Sequence, residues 1–83
     1  GIRGVSYYAK GDIYKCDFAF SKKRYYFPEF KTIEEAVYCR KLMEDHFNLT
    51  VMSKNPSADK YLESIKDEDK RKVEGIVDKI LRK

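Results

Sequence analysis

Three side chains of this chain could in principle bind a metal ion or act as a nucleophile, but their spacing argues against both roles. Cys16 and Cys39 are the two cysteines, and His46 is the single histidine. A structural zinc site needs closely spaced ligand pairs, whereas these cysteines lie 23 residues apart with one distant histidine. Both cysteines fall on apolar stripes, so we interpret them as reduced core thiols of an intracellular protein, with a single disulfide as the alternative.

Other residues suited to acid–base chemistry are equally scattered. Asp12 and Asp17 are isolated carboxylates, and the chain has no glycine-rich loop that could hold phosphates. With 83 residues and 9.9 kDa, the chain has room for one small core, and 14% aromatic residues are typical of a folded domain. We therefore expect no enzymatic activity, no metal, no cofactor and no small-molecule substrate.

Positive charge is concentrated in residues 1–31. This segment holds seven Lys and Arg against three Asp and Glu, whereas residues 32–83 hold eleven of each sign. The whole net charge of +4 therefore lies in the first segment, and an anion-binding surface should be sought there. The excess is compatible with a nucleic-acid partner without demanding one. No apolar run approaches the roughly 20 residues of a membrane span, so we expect no membrane partner.

Alternating apolar and polar residues predict three short antiparallel strands in this basic segment. The strands are expected over residues 5–8, 14–20 and 24–27. Polar breaks of hairpin length, residues 10–12 and 21–23, separate them. Pro28 ends the pairing because proline has no N–H to donate. The positions expected to face outward are Ser6, Tyr8, Lys15, Asp17, Ala19, Arg24 and Tyr26.

A capping box predicts the first helix. Thr32 is the expected N-cap, and Glu35 is expected to reach back to the Thr32 amide. Apolar residues at three- and four-residue steps continue the helix to about Phe47. Asn48 begins an Asn-Leu-Thr glycosylation sequon, but we interpret it as the turn residue that closes this helix.

Two further helices are expected in the last third of the chain. Asn55-Pro56 is typical of an N-cap followed by proline at the first helical position. Acidic residues 67–69 and a basic end suit the dipole of a final helix. Its apolar stripe, which must pack against something, is Val73, Ile76, Val77, Ile80 and Leu81. The predicted fold class is α+β, with a three-stranded antiparallel sheet packed on one helix and additional C-terminal helices.

The order of these elements and several residues resemble the AP2/ERF DNA-binding domain. The similar segments are Arg3-Gly4-Val5, Tyr14-Lys15-Cys16-Asp17-Phe18, residues 23–30 and Lys31-Thr32-Ile33-Glu34-Glu35-Ala36. The most specific piece is the Phe-x-Thr-x-Glu-Glu-Ala pattern that starts at Phe30. The resemblance covers residues 1–48, the expected sheet-and-helix DNA-binding core, and residues 49–83 are expected to be a helical extension packed on the same domain.

Several positions depart from the family pattern. Tyr14 stands for the usual Trp, Cys16 for Ala, Phe27 for Leu and Pro28 for Gly, and Ser6 and Ala19 stand where plant members carry Arg. These departures are more like the apicomplexan branch of the family than the plant branch.

The resemblance implies a sheet that lies in the major groove of double-stranded DNA, in a nuclear transcription factor that regulates transcription. The implied base contacts are Ser6, Tyr8, Asp17, Ala19, Arg24 and Tyr26, and the implied phosphate contacts are Arg3, Lys10, Lys15, Lys22 and Lys23. Arg24 suits a bidentate bond to guanine, Asp17 suits the cytosine amino group, and Tyr26 suits a sugar or thymine methyl.

Other interpretations of the same residues stay open at this point. Asp17 could pair with Lys15 or Arg24 across the strands, Arg24 could be an edge-strand charge, and Lys22 and Lys23 could be solvated turn residues. The domain could anchor a phage-type integrase or homing endonuclease to DNA. It could instead be a protein-interaction module, with the last helix binding a partner or a second copy.

Overall fold

The computed structural model describes residues 4–49 and 56–82. Within these ranges the chain forms four strands and three helices and has the predicted α+β class. The strands are β1 (Val5–Tyr8), β2 (Ile13–Cys16), β3 (Phe18–Phe20) and β4 (Lys23–Tyr25). The helices are α1 (Ile33–His46), α2 (Pro56–Ser64) and α3 (Asp67–Leu81).

The strands form two antiparallel pairs, so the single three-stranded sheet expected from the sequence is not confirmed. β1 pairs with β2, and β3 pairs with β4. The predicted middle strand is interrupted at Asp17, which separates β2 from β3. The Asp17 amide donates to the Gly4 carbonyl at 2.7 Å, but the Asp17 carbonyl accepts a hydrogen bond from the Arg40 guanidinium. Because a helix side chain takes this carbonyl, regular strand pairing stops there.

The third predicted strand is shorter than residues 24–27. β4 ends at Tyr25, and pairing returns only at Phe30, which forms an isolated antiparallel bridge with Tyr14. The two hydrogen bonds of this bridge measure 2.8 and 2.9 Å. Phe18 pairs with Tyr25, and Tyr14 pairs with Phe30. The segment from Tyr25 to Phe30 is therefore one residue longer than the opposing segment from Tyr14 to Phe18, as in a bulged strand. Pro28, which has no N–H, lies in this unpaired stretch.

Both hairpin turns contain residues with left-handed backbone. The β1–β2 turn spans residues 9–12 and places Asp12 at φ 49°. The β3–β4 turn has two central residues, Ser21 and Lys22, at φ 54° and 66°. Positive φ at both positions is the type I′ geometry, whose twist suits tight hairpins. Lys23, expected in this turn, belongs to β4.

The ends of α1 follow the capping signals, with one difference. Thr32 Oγ1 accepts from the Glu35 amide at 3.3 Å, which confirms the N-cap. The Glu35 carboxylate accepts from the Thr32 hydroxyl at 3.0 Å, so the expected bond to the Thr32 amide was wrong. Asn48 lies at φ 59°, and the Asn48 and Leu49 amides donate to the Asp45 and Glu44 carbonyls. This Schellman arrangement confirms Asn48 as the residue that closes the helix.

The apolar stripe of α3 packs on α1 and joins the core beneath the sheet. Val73 and Val77 are buried in the same cluster as Cys16, Phe18 and Met43. The three- and four-residue spacing of the stripe therefore places its apolar side chains on the side of α3 that faces the core.

Polar contacts also link the helices. Tyr38 on α1 donates to Glu74 on α3 at 2.6 Å, and Lys72 Nζ lies 3.1 Å from Glu35 Oε2. Pro56 opens α2 as predicted, while its expected cap Asn55 lies outside the described residues. None of the helices in the described ranges has the length and apolar character needed to cross a bilayer.

Candidate nucleic-acid interface

The predicted outward residues define a surface that we call the outer face: Ser6, Tyr8, Lys15, Asp17, Ala19, Arg24 and Tyr26. Strand register supports it within each strand pair, whereas Asp17 and Tyr26 lie just outside the strands. Ser6 lies opposite Lys15, and Ala19 lies opposite Arg24. The alternate positions Cys16 and Phe18 are buried in the core. Alternation of side chains along a strand therefore turns Cys16 and Phe18 into the core and leaves the neighbouring positions Asp17 and Ala19 exposed.

A groove of about 250 Å³ lies at the outer face. It is lined by Tyr8, Lys15, Cys16, Asp17, Arg24, Tyr25, Tyr26 and Phe27. Five predicted contact residues thus meet in one groove, although they come from both strand pairs and from the segment after β4. Tyr26 is 78% exposed, a large aromatic side chain that the fold leaves almost uncovered.

The charged groups of this groove are not neutralised by one another. Within residues 4–49 and 56–82, the Asp17 carboxylate forms no ion pair with Lys15 or Arg24, so the cross-strand pair considered from the sequence is not formed there. Lys15 Nζ instead lies 5.2 Å from the centre of the Tyr8 ring, a cation–π distance. An exposed guanidinium and an exposed carboxylate are therefore available to a ligand.

The remaining predicted phosphate contacts that the structure describes do not line this groove. Lys10 lies in the β1–β2 turn and Lys22 in the β3–β4 turn. Because only Asp17 separates β2 from β3, these two turns lie at opposite ends of the segment that the two strands form. Lys23 is on the other face from Arg24, with its Nζ 5.0 Å from the centre of the Tyr25 ring. Arg3 lies outside the described residues.

Tyr7, on the core side of β1, forms part of the first hairpin. Its ring lies 4.9 Å from the Tyr14 ring, and its hydroxyl donates to Asp12 Oδ1 at 2.9 Å. This hydrogen bond and the Asp12 charge raise the pKa of the Tyr7 hydroxyl above its ordinary value. The Asp12 carboxylate is therefore engaged in holding the turn.

A buried charge network lies beneath the outer face, and sequence reasoning missed it. Arg40 on α1 forms an ion pair with Glu44 at 2.8 Å, and their side chains are only 15% and 1% exposed. Arg40 lies along or beside the apolar stripe of α1, and the sequence pattern alone predicts no contact for it. The available signal was an arginine on that stripe followed four residues later by a glutamate, a spacing that brings the two side chains together.

The two cysteines are free and buried, as expected for core thiols. A hydrogen bond between Cys39 and Cys16, followed by burial, raises the pKa of the Cys39 thiol, so this group is not a reactive thiolate. His46 packs edge-on against Phe47 with ring centres 4.8 Å apart. In the part of the chain that the structure describes, no group of three or more His, Cys, Asp or Glu side chains could hold a metal ion.

Comparisons with known proteins found no relative of this chain. The chain matches no family model, no curated protein and no solved structure. The AP2/ERF resemblance therefore stays a prediction carried by the residues named above, and the function is inferred from the outer face itself.

Proposed function

We propose that this chain binds double-stranded DNA sequence-specifically, with its outer face in the major groove, as the DNA-binding module of a nuclear transcription factor. The observation that supports this proposal most strongly is the groove lined by Arg24, Asp17 and Lys15 together with three tyrosines. Exposed hydrogen-bonding groups of both signs, inside a region with net positive charge, suit a ligand that has an anionic backbone and polar base edges.

The size of the sheet is compatible with this arrangement. We propose that the two strand pairs act as one three-stranded surface, continuous through Asp17 and the Tyr14–Phe30 bridge. Neighbouring strands are spaced by about 4.8 Å, so three strands span about 10 Å. The major groove of B-DNA is about 12 Å wide and admits a β-ribbon.

Side-chain chemistry assigns roles within the groove. The Arg24 guanidinium can donate two parallel bonds to guanine O6 and N7, and the Asp17 carboxylate can accept from a cytosine amino group. Tyr26 can pack on a sugar or a thymine methyl. Ser6, Tyr8 and Ala19 complete the base-facing set. Arginine and aspartate together favour a binding site that contains G·C pairs.

Lysines of the strands and turns account for affinity that does not depend on sequence. Lys10 and Lys22 lie in the two hairpin turns and Lys15 lines the groove, where each can neutralise a phosphate. Arg3 and Lys23 complete the proposed set. Each neutralised phosphate contributes about −0.9 to the slope of log affinity against log salt.

The test is selection of duplexes from a random DNA pool by the wild type, Arg24→Ala and Arg71→Ala. Arg71 is an exposed residue of α3, so its variant removes the same charge away from the sheet. We expect the wild type and Arg71→Ala to enrich the same G·C-containing motif, and Arg24→Ala to lose preference at one position. Selection that enriches no motif, or an Arg24→Ala motif identical to the wild type, contradicts the proposal.

The apolar stripe of α3 is the other surface that the sequence offered to a partner. Its Val73 and Val77 are already covered by α1 within this domain. Less of the stripe is therefore available to a second copy or a protein partner than its spacing alone suggested.

A further inference from the structure

Arg40 makes contact with the outer-face strands at the point where β2 passes into β3. Its guanidinium donates to the Asp17 main-chain carbonyl and lies 4.9 Å from the centre of the Phe18 ring. Its Nε donates to Glu44 at 2.8 Å. One planar group therefore holds a strand carbonyl, a buried carboxylate and an aromatic face at the same time, which a lysine ammonium cannot reproduce.

Gly4 makes room for this guanidinium. Gly4 has φ +84°, and a Cβ built at this position would lie 2.7 Å from Arg40 Nη1 and 2.9 Å from Arg40 Cζ. The Gly4 carbonyl also accepts the Asp17 amide at 2.7 Å. Both main-chain polar groups of Asp17 are thus held, one by Gly4 and the other by Arg40, while the Asp17 side chain points to solvent.

We propose that Arg40 is a positioning residue that sets the direction in which Asp17 presents its carboxylate, and so determines specificity at the base pair that Asp17 reads. This inference rests on the proposed DNA-binding function. A carboxylate discriminates between bases only if it is held in place, because hydrogen bonds to base edges weaken steeply when misaligned. The Asp17 backbone receives this constraint from α1 through Arg40, behind the surface that meets DNA.

The experiment measures binding of the selected duplex and of its single base-pair substitutions by the wild type, Arg40→Lys, Asp17→Asn and Val77→Ala. We expect Arg40→Lys and Asp17→Asn to lose about 10- to 100-fold discrimination at the same base pair, the range typical of one mismatched pair, and to keep it elsewhere. Val77→Ala opens a cavity in the core where α3 packs on α1 and leaves Arg40 and its partners unchanged, so it controls for lost stability and is expected to keep the full pattern.

A purely structural role for Arg40 predicts a different result. Arg40→Lys would then keep discrimination at the Asp17 base pair, or would weaken binding uniformly as a destabilised control does, and either outcome overturns the inference. Glu44→Gln loosens Arg40 while keeping an acceptor beside it. It is expected to give the same position-specific loss to a smaller degree, and it supplies the test if Arg40→Lys does not fold.

Failure of this inference can be told apart from failure of the proposed function. If the wild type enriches a motif and Arg40→Lys discriminates between its base pairs as the wild type does, only the positioning role is overturned. If the wild type enriches no motif, there is no base pair for Asp17 to read, and the proposed function and this inference fall together.

Discussion

At the scale of single residues, two glycines of this chain differ in whether the fold leaves room for a side chain. Gly4 has a positive φ, and a side chain there would collide with the Arg40 guanidinium. Gly75 lies within α3, where an added Cβ would meet nothing within 4 Å. Because Arg40 is held by Glu44, Asp17 and Phe18, it cannot move away from a new side chain without losing those contacts.

The change Gly4→Ala is expected to destabilise the protein, whereas Gly75→Ala is expected to stabilise it. The positive φ alone costs an L-residue about 1–2 kcal/mol, and displacement of Arg40 adds to this. In a helix interior, alanine is more favourable than glycine by about 0.5–1 kcal/mol. Urea unfolding of both variants measures the difference. A Gly4→Ala variant as stable as the wild type contradicts the account of the Arg40 network.

Single residues also show what sequence could predict about the candidate site. Strand alternation predicted that Arg24 and Asp17 share a face, because the period of two depends only on local backbone geometry, and both residues line the groove. Arg40 could not be assigned in this way. Its burial depends on how α1 lies against the β2–β3 junction, which is a tertiary contact that no local pattern encodes.

At the scale of elements, the β3–β4 turn combines an unfavourable backbone with a proposed DNA contact. Ser21 and Lys22 both adopt positive φ, although neither is a glycine or an asparagine. Residues with a Cβ disfavour this conformation, so the turn is less stable than a glycine-containing one. Lys22 is exposed to solvent in this turn.

Replacing either turn residue with glycine separates stability from binding. Ser21→Gly and Lys22→Gly are each expected to stabilise the fold by about 0.5–1 kcal/mol, because relief of the positive φ exceeds the entropy cost of glycine. Only Lys22→Gly is expected to reduce the slope of log affinity against log salt, by about 0.9. Thermal unfolding and salt titrations measure the two effects. Equal slopes for both variants would exclude a phosphate contact by Lys22.

One polar contact between α3 and α1, the hydrogen bond from Tyr38 to Glu74, depends on the protonation of Tyr38. Burial and the hydrogen bond to Glu74 raise the pKa of the Tyr38 hydroxyl from its ordinary value of 10.0 to about 12. A raised pKa means that the neutral donor is favoured in the folded state, so its stabilising contribution is complete below pH 10 and is lost as pH rises through about 12.

Stability is therefore expected to fall between pH 10 and 12 more steeply in the wild type than in Tyr38→Phe, which has no hydroxyl to ionise. Lysine deprotonation affects both proteins alike, so the difference between their urea midpoints isolates Tyr38. Parallel curves for the two proteins would mean that the Tyr38–Glu74 bond does not stabilise the fold in solution.

At the scale of the whole molecule, one core supports a surface of distinct charge. The inner face of the sheet, α1 and α3 share a single cluster of buried residues. The excess positive charge stays in the segment that forms the strands. The neutral C-terminal part thus supplies the packing that this small sheet needs, because two-stranded pairs are marginally stable alone.

The sequence predicted the α+β class, all three helices and the closure of α1 by Asn48. These features follow from local periodicity and capping, which act over a few residues. The interruption of the middle strand at Asp17 was not predicted. It arises because Arg40, distant in sequence, competes for a carbonyl that strand pairing would otherwise use.

The central claim is that the outer face binds duplex DNA, and NMR titration of ¹⁵N-labelled protein with the selected duplex tests it most directly. We predict the largest shifts at the amides of Ser6, Lys15, Asp17 and Arg24, and small shifts across α2 and along the side of α3 that packs on α1. Shifts concentrated on α2 or α3, with the outer face unchanged, would contradict the claim.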